Sequence, residues 1–257
     1  MDYQRRFGGI ARLYGAGSLE ALASARVCVV GVGGVGSWAV EALARSAVGH
    51  ICMIDMDHVA ESNINRQLPA VESELGRAKV AALRERVAGI NPGCDVGTVE
   101  DFVTPDNLDT LIPPESHWVL DCVDSFRVKA ALIAFCRRRE QAVITVGGAG
   151  GQRDPTRVRV SDLRKTEQDP LLARTRRLLR QCYGFPQNPK RRFDVPCVWS
   201  DEPQAAPVEA CDAPLEGSLN CAGYGACMPV TATFGMTAAG YVIDRLARKA
   251  GFINQRR

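Results

Sequence analysis

No two cysteines in this sequence are spaced Cys-x-x-Cys, although ten cysteines are present. Two such pairs are the usual cradle of a structural zinc ion, so no zinc is expected. The charged-then-apolar opening of a secreted protein is missing as well, and the thiols read as reduced in a cytoplasmic protein. No run reaches the 18 or so apolar residues that a membrane span requires. The most apolar late stretch, Met228 to Val242, is interrupted by Thr231, Thr233 and Thr237, and reads as a buried helix. An excess of one charge is nearly absent, since 32 Lys and Arg stand against 29 Asp and Glu. That balance permits a nucleic-acid partner without arguing for one. Internal repeats are lacking. What remains, 257 residues of which 46% are hydrophobic, can bury one full core.

The most informative segment is a glycine turn. Gly31, Gly33, Gly34 and Gly36 follow a short apolar strand, Val27 to Val30, and Ser37-Trp-Ala-Val-Glu-Ala-Leu43 opens a helix behind them. Such a turn lets the backbone approach phosphates, with the positive end of the helix facing them. The next strand, His50 to Asp55, ends in a carboxylate placed to meet a ribose hydroxyl. The chain therefore reads as a nucleotide-binding protein. A dinucleotide is the default for this turn, but Asp57, Ser62, Asn63, Arg66 and Gln67 favour a triphosphate. Ser62 and Asn63 can hydrogen-bond phosphate oxygens, and Arg66 can neutralise a leaving pyrophosphate. Lys79 supplies a second cation. Asp124 ends a buried strand beside Ser125 and is placed to hold a Mg2+ ion that bridges phosphates. Each of these alone reads more readily as a surface charge or a helix cap. Their shared place at the carboxyl ends of successive strands favours a site.

Gly31-Val-Gly-Gly-Val-Gly36, Asp55-Met-Asp57, Ser62-Asn-Ile-Asn-Arg-Gln67, Lys79 and Asp121-Cys-Val-Asp124 together resemble the adenylation domain of the ubiquitin-activating-enzyme superfamily. Its bacterial members include enzymes that activate sulfur-carrier proteins. Within it, the chain is most similar to the tRNA threonylcarbamoyladenosine dehydratases. The matching segments include Gln4 to Gly15, Glu100 to Asn107, Lys129 to Arg138, Val146 to Gln152, Asp162 to Leu171 and Val230 to Gly235. The resemblance implies that ATP, with Mg2+, adenylates the threonyl carboxylate of the modified nucleoside. A neighbouring group of the same modification then closes a ring, with net loss of water and release of AMP. It also implies a homodimer in which an arginine of one subunit reaches the other's phosphates, with Arg6 and Arg12 as candidates. Sulfur-transfer proteins are further candidate partners. The alternatives are a sulfur-carrier adenylyltransferase, disfavoured by the missing zinc cysteines, and a non-catalytic tRNA- or protein-binding relative. An intact Arg66, Lys79 and Asp124 count against the latter. An NAD oxidoreductase fits least well.

Strand and helix alternate from Arg26 to Val146, which predicts a doubly wound, mainly parallel Rossmann-like α/β sheet. Strands are expected near 26–31, 50–55, 95–100, 118–121 and 142–146, and helices near 37–47, 76–90 and 128–140. Arg157 to Ser161 alternates as a half-exposed strand, so antiparallel strands should be added to the sheet. One adenylation domain is expected over 1–257, with a core at 20–165, a mobile basic and Pro-rich crossover segment at about 166–228, and a final helix at about 229–249. Tyr183 to Pro229 holds no clear period and reads as a long loop over the active site. Arg176, Arg177, Arg191 and Arg192 are candidate tRNA contacts, with Tyr183, Phe185 and Phe193 available to stack on bases. The plain alternative is a solvated helix face and a basic loop. Cys197, Cys211 and Cys221 are the candidate nucleophiles, but an intramolecular ring closure needs none, because its attacking atom is already tethered.

Overall fold

The computed structural model describes residues 2–205 and 224–254, with side chains described as far as Arg248. Cys211 and Cys221 lie outside the described residues. Seven strands form one sheet: β1 (Arg26–Val30), β2 (His50–Ile54), β3 (Asp95–Val99), β4 (Trp118–Asp121), β5 (Ala142–Val146), β6 (Val158–Asp162) and β7 (Pro196–Ser200). Their order is β3-β2-β1-β4-β5-β7-β6. All neighbouring pairs are parallel except β6 with β7, so the expected antiparallel addition is a single edge strand.

Both faces of the sheet are covered over its central strands β1, β4 and β5, which is why those read as continuous apolar runs. Val27, Val29, Ile51 and Met53 point to one face, where α3 (Gly36–Arg45), α4 (Lys79–Ile90) and α8 (Met228–Asn254) pack. Cys28, Val30, Ile54 and Val119 point to the other, beneath α5 (Leu108–Leu111), α6 (Phe126–Arg138) and α7 (Pro170–Cys182). Val230, Phe234, Ala238 and Val242 of α8 are fully buried, as the interrupted apolar run predicted. No helix among the described residues is long and apolar enough to cross a membrane. The buried Glu41 carboxylate ties α3 to α4 through Arg86 Nε at 2.6 Å, and also accepts from Arg45 at 2.7 Å. At the amino end, α1 (Tyr3–Tyr14) and α2 (Ser18–Ala23) close the α8 side of the molecule.

The loop expected from Tyr183 to Pro229 is corrected over its first part. Phe193, Val195 and β7 are buried, and β7 inserts between β5 and β6. A five-residue strand covered on both faces has neither polar–apolar alternation nor length to announce it, and Pro196 at its first position imitates a loop. The stacking role expected of Phe185 and Phe193 is corrected with it. Phe185 and Phe193 are core residues in edge-to-face contact at 5.1 Å, and Tyr183 packs against the same cluster.

Candidate active site

A cavity of about 520 Å³ opens where the carboxyl ends of β1, β2, β4 and β5 meet their following loops. This is the crevice in which open α/β sheets bind ligands, and its size suits a small-molecule site. The glycine turn forms one wall. Gly31 has φ +82°, and a Cβ there would stand 3.0 Å from the Cys122 carbonyl oxygen. At Gly36, the first residue of α3, a Cβ would come within 1.9 Å of the Gly31 carbonyl oxygen. The turn closes this tightly only because both side chains are missing. Gly33 and Gly34 line the cavity between them.

Asp55 follows β2 and is held by its own backbone surroundings. Its carboxylate accepts from the Val32 N–H at 2.7 Å and the Asp57 N–H at 2.9 Å. Burial raises its pKa, opposed by the nearby Lys79 and by these two N–H groups. Lys79, at the start of α4, is only 4% exposed, yet its ammonium reaches the cavity and pairs with Asp57 at 2.7 Å. Asp57 itself is solvent-facing, so this pair can open toward a ligand. Arg66 and Gln67 line the same wall. The Arg66 guanidinium donates to the Ser62 carbonyl at 2.7 Å and to Asn65 Oδ1 at 3.0 Å. Gln67 Oε1 is buried and finds no hydrogen-bond donor among the described residues, which leaves it for a bound N–H or O–H group.

Ser62 and Asn63 do not line the cavity. Asn63 Oδ1 accepts from the Ala60 N–H at 3.2 Å, and the two residues shape the short turn that presents Arg66. Asp124 and Ser125 line the opposite wall, at the start of α6. Among the described residues, no three His, Cys, Asp or Glu side chains gather to hold a metal by themselves. A single carboxylate such as that of Asp124 fits Mg2+ shared with phosphates, because that ion usually takes one or two carboxylates and fills its remaining positions from phosphate and water.

Below the cavity lies a buried polar group whose function the sequence did not disclose. Lys129 and Asp121, both fully buried, pair at 2.9 Å, and Thr145 Oγ1 donates to Asp121 at 2.6 Å. Asp169 accepts from the Gly148 N–H at 2.9 Å and from the Leu172 N–H at 2.9 Å. It thereby joins the glycine run after β5 to the start of α7. Gly147, Ala149 and Gly150 of that run line the cavity, as do Asp101 and Phe102 after β3. The run of glycines was the available signal. For Phe102, 64% exposed at the cavity, no pattern in the sequence singled it out.

The remaining expected residues lie elsewhere. Arg6 and Arg12 are exposed on α1 and do not line the cavity of their own chain. Arg176 turns inward to Thr166 Oγ1, and burial lowers its pKa, so its expected place among the tRNA contacts is corrected. Arg192 is exposed but lies near Asp194 at 3.3 Å and Asp162 at 3.6 Å, while Arg177 and Arg191 face solvent. Cys197 is fully buried and desolvation pushes its thiol up, both of which disfavour a nucleophilic thiolate. Cys122, at the cavity, is pushed up to about 12 by the same cause.

The ThiF family model matches residues 3–256. A tRNA threonylcarbamoyladenosine dehydratase of Haemophilus influenzae is 48% identical over 249 residues, which cover 96% of this chain and 95% of that protein. Two crystal structures of the E. coli tRNA N6-threonylcarbamoyladenosine dehydratase are similar throughout. The complex with ATP has a TM-score of 0.87 and the complex with AMP 0.88, each at 46% identity over 96% of both chains.

Proposed function

The chain belongs to the ThiF family and, within it, to the tRNA threonylcarbamoyladenosine dehydratases, and from that premise we propose how its residues divide the reaction. The reaction is the ATP-dependent dehydration of N6-threonylcarbamoyladenosine in tRNA. The observation that carries the residue assignment is the convergence of the glycine turn, Asp55, Arg66, Lys79 and Asp124 on one cavity.

ATP lies with its phosphates over the Gly31–Gly36 turn and its ribose hydroxyls on Asp55. The adenine then falls beyond Asp55, toward β3, where Phe102 offers an apolar face. Arg66 and Lys79 draw charge from the β- and γ-phosphates, with Gln67 beside them. Lys79 exchanges Asp57 for phosphate as the nucleotide enters. Asp124 is the residue that would hold Mg2+, and the ion would supply positive charge to the phosphates. The threonyl carboxylate attacks the α-phosphorus, breaking its bond to the bridging oxygen of pyrophosphate. A neighbouring nucleophile of the same modification then attacks the acyl carbon, loses its proton and expels AMP. No enzyme thiol enters, in keeping with the buried Cys197.

A homodimer places an arginine of α1 from the second copy near the phosphates. Arg6 and Arg12 qualify because both are exposed and neither serves the cavity of its own chain. An isotope experiment tests the adenylate directly. tRNA carrying 18O in the threonyl carboxylate should yield AMP with one 18O atom on its phosphate. Label in inorganic phosphate, with ADP as the nucleotide product, would overturn the assignment.

A further inference from the structure

The cavity accounts for a nucleotide and a carboxylate, but not for the polynucleotide to which that carboxylate is attached. The reacting group hangs from a base, so the neighbouring nucleotides must cross the rim of the cavity. Directly after the lining residues Asp124 and Ser125 stands Phe126, half-buried at the first position of α6. The Arg127 guanidinium lies 5.5 Å from its ring centroid, and that of Arg174, from α7, 5.9 Å. Both arginines are exposed. Those distances approach the outer limit of cation–π attraction, so the ring is covered loosely. The first turn of α6 carries no acid, and its free N–H groups add positive potential at the same spot. After α7, Phe185 and Phe193 are core residues, and Tyr183 is half-buried against the cluster they belong to.

We propose that Phe126, flanked by Arg127 and Arg174, is the docking point for the single-stranded tRNA nucleotides beside the reacting adenosine. One base stacks on the ring. The two guanidiniums swing from the ring onto the flanking phosphates, an exchange that costs little because they are weakly held. Single-stranded RNA is commonly recognised by this pairing of aromatic face and cation. The proposal rests on the dehydratase reading of the cavity.

Steady-state kinetics and tRNA binding across a salt series test it. Phe126→Leu should raise the KM for tRNA on the order of tenfold, far more than it changes kcat or the affinity for ATP. Phe126→Tyr should restore it. Arg127→Ala and Arg174→Ala should each flatten the salt slope of binding by about 0.7, the single-strand value. Arg248→Ala, exposed on α8, is the charge control and should leave both measures as in the wild type. A Leu variant with wild-type KM would reduce Phe126 to packing, and an unchanged slope would place the phosphates elsewhere; either overturns the proposal. A rise in the KM for ATP alone would assign the ring to the nucleotide and overturn it equally. A wild-type protein that binds tRNA normally yet leaves its nucleosides unchanged would overturn the dehydratase reading instead, while the binding arms still decide the docking site.

Discussion

Two lysines are almost inaccessible to solvent, Lys79 at 4% and Lys129 at 0%, yet replacing each should fail the protein differently. Lys79 pairs with an Asp57 side chain that is 60% exposed. Remove the lysine by Lys79→Ala, and Asp57 returns to water at a cost of about 1 kcal/mol or less. Lys79, however, lines the cavity in which, on the proposed assignment, charge moves onto pyrophosphate. Unit charges about 4 Å apart interact by roughly 4 kcal/mol at the effective dielectric near a protein surface. A loss of 100-fold in rate corresponds to about 2.7 kcal/mol of barrier, so a drop on that order or greater is expected. Lys129 presents the opposite case. Its partner Asp121 is fully buried, and Lys129→Ala would strand a carboxylate inside the protein, a defect worth about 3–5 kcal/mol. The assay pairs thermal unfolding with turnover at saturating ATP and tRNA. Lys79→Ala should keep its melting temperature within a few degrees and lose activity, whereas Lys129→Ala should lose melting temperature first. A Lys79→Ala protein with wild-type turnover, or a Lys129→Ala protein of wild-type stability, would refute the reasoning.

Gly36→Ala puts a methyl group 1.9 Å from the Gly31 carbonyl oxygen, so the turn must open, and ATP binding measured by calorimetry should weaken at least tenfold by the order-of-magnitude cost of such strain. Phe102→Ala should raise the KM for ATP more than that for tRNA, since the proposed nucleotide pose puts the adenine against Phe102; the reverse pattern would displace the base. Because burial raises the folded-state pKa of Asp55 above its unfolded value, ionised Asp55 costs the free protein stability as pH rises through that window. Nucleotide affinity follows the opposite sign: it should fall as acid protonates Asp55, the proposed ribose acceptor, beginning above the pH at which an ordinary aspartate titrates, and Asp55→Ala should remove that component from a pH series of ATP affinities. Cys211→Ser and Cys221→Ser should retain dehydration, and abolition by either, with ATP binding intact, would favour an acyl-enzyme.

The first half of the fold was legible because its signals are local. β1 and β2 are apolar on both faces, the glycine turn marks where the backbone closes too tightly for a side chain, and the acids at the carboxyl ends of β2 and β4 announce where a ligand goes. The second half depends on contacts remote in sequence. β7 is defined by pairing with β5 and β6, and Phe193 by the core that Arg137 and Arg180 overlie, neither of which a window of sequence can show. The same holds for Arg176, whose inward turn depends on Thr166 and Asp169. A run of arginines with interleaved aromatics looks identical whether the rings face a base or a core. Phe126 was hidden for the converse reason, because its arginine neighbour Arg174 comes from another helix.

The most direct measurement of the central claim is mass spectrometry of nucleosides from tRNA incubated with the protein and ATP, with the nucleotide products quantified alongside. The account predicts that threonylcarbamoyladenosine loses one water, with one AMP formed for each nucleoside converted and no conversion in the absence of ATP. An unchanged nucleoside, or conversion accompanied by ADP in place of AMP, would contradict it.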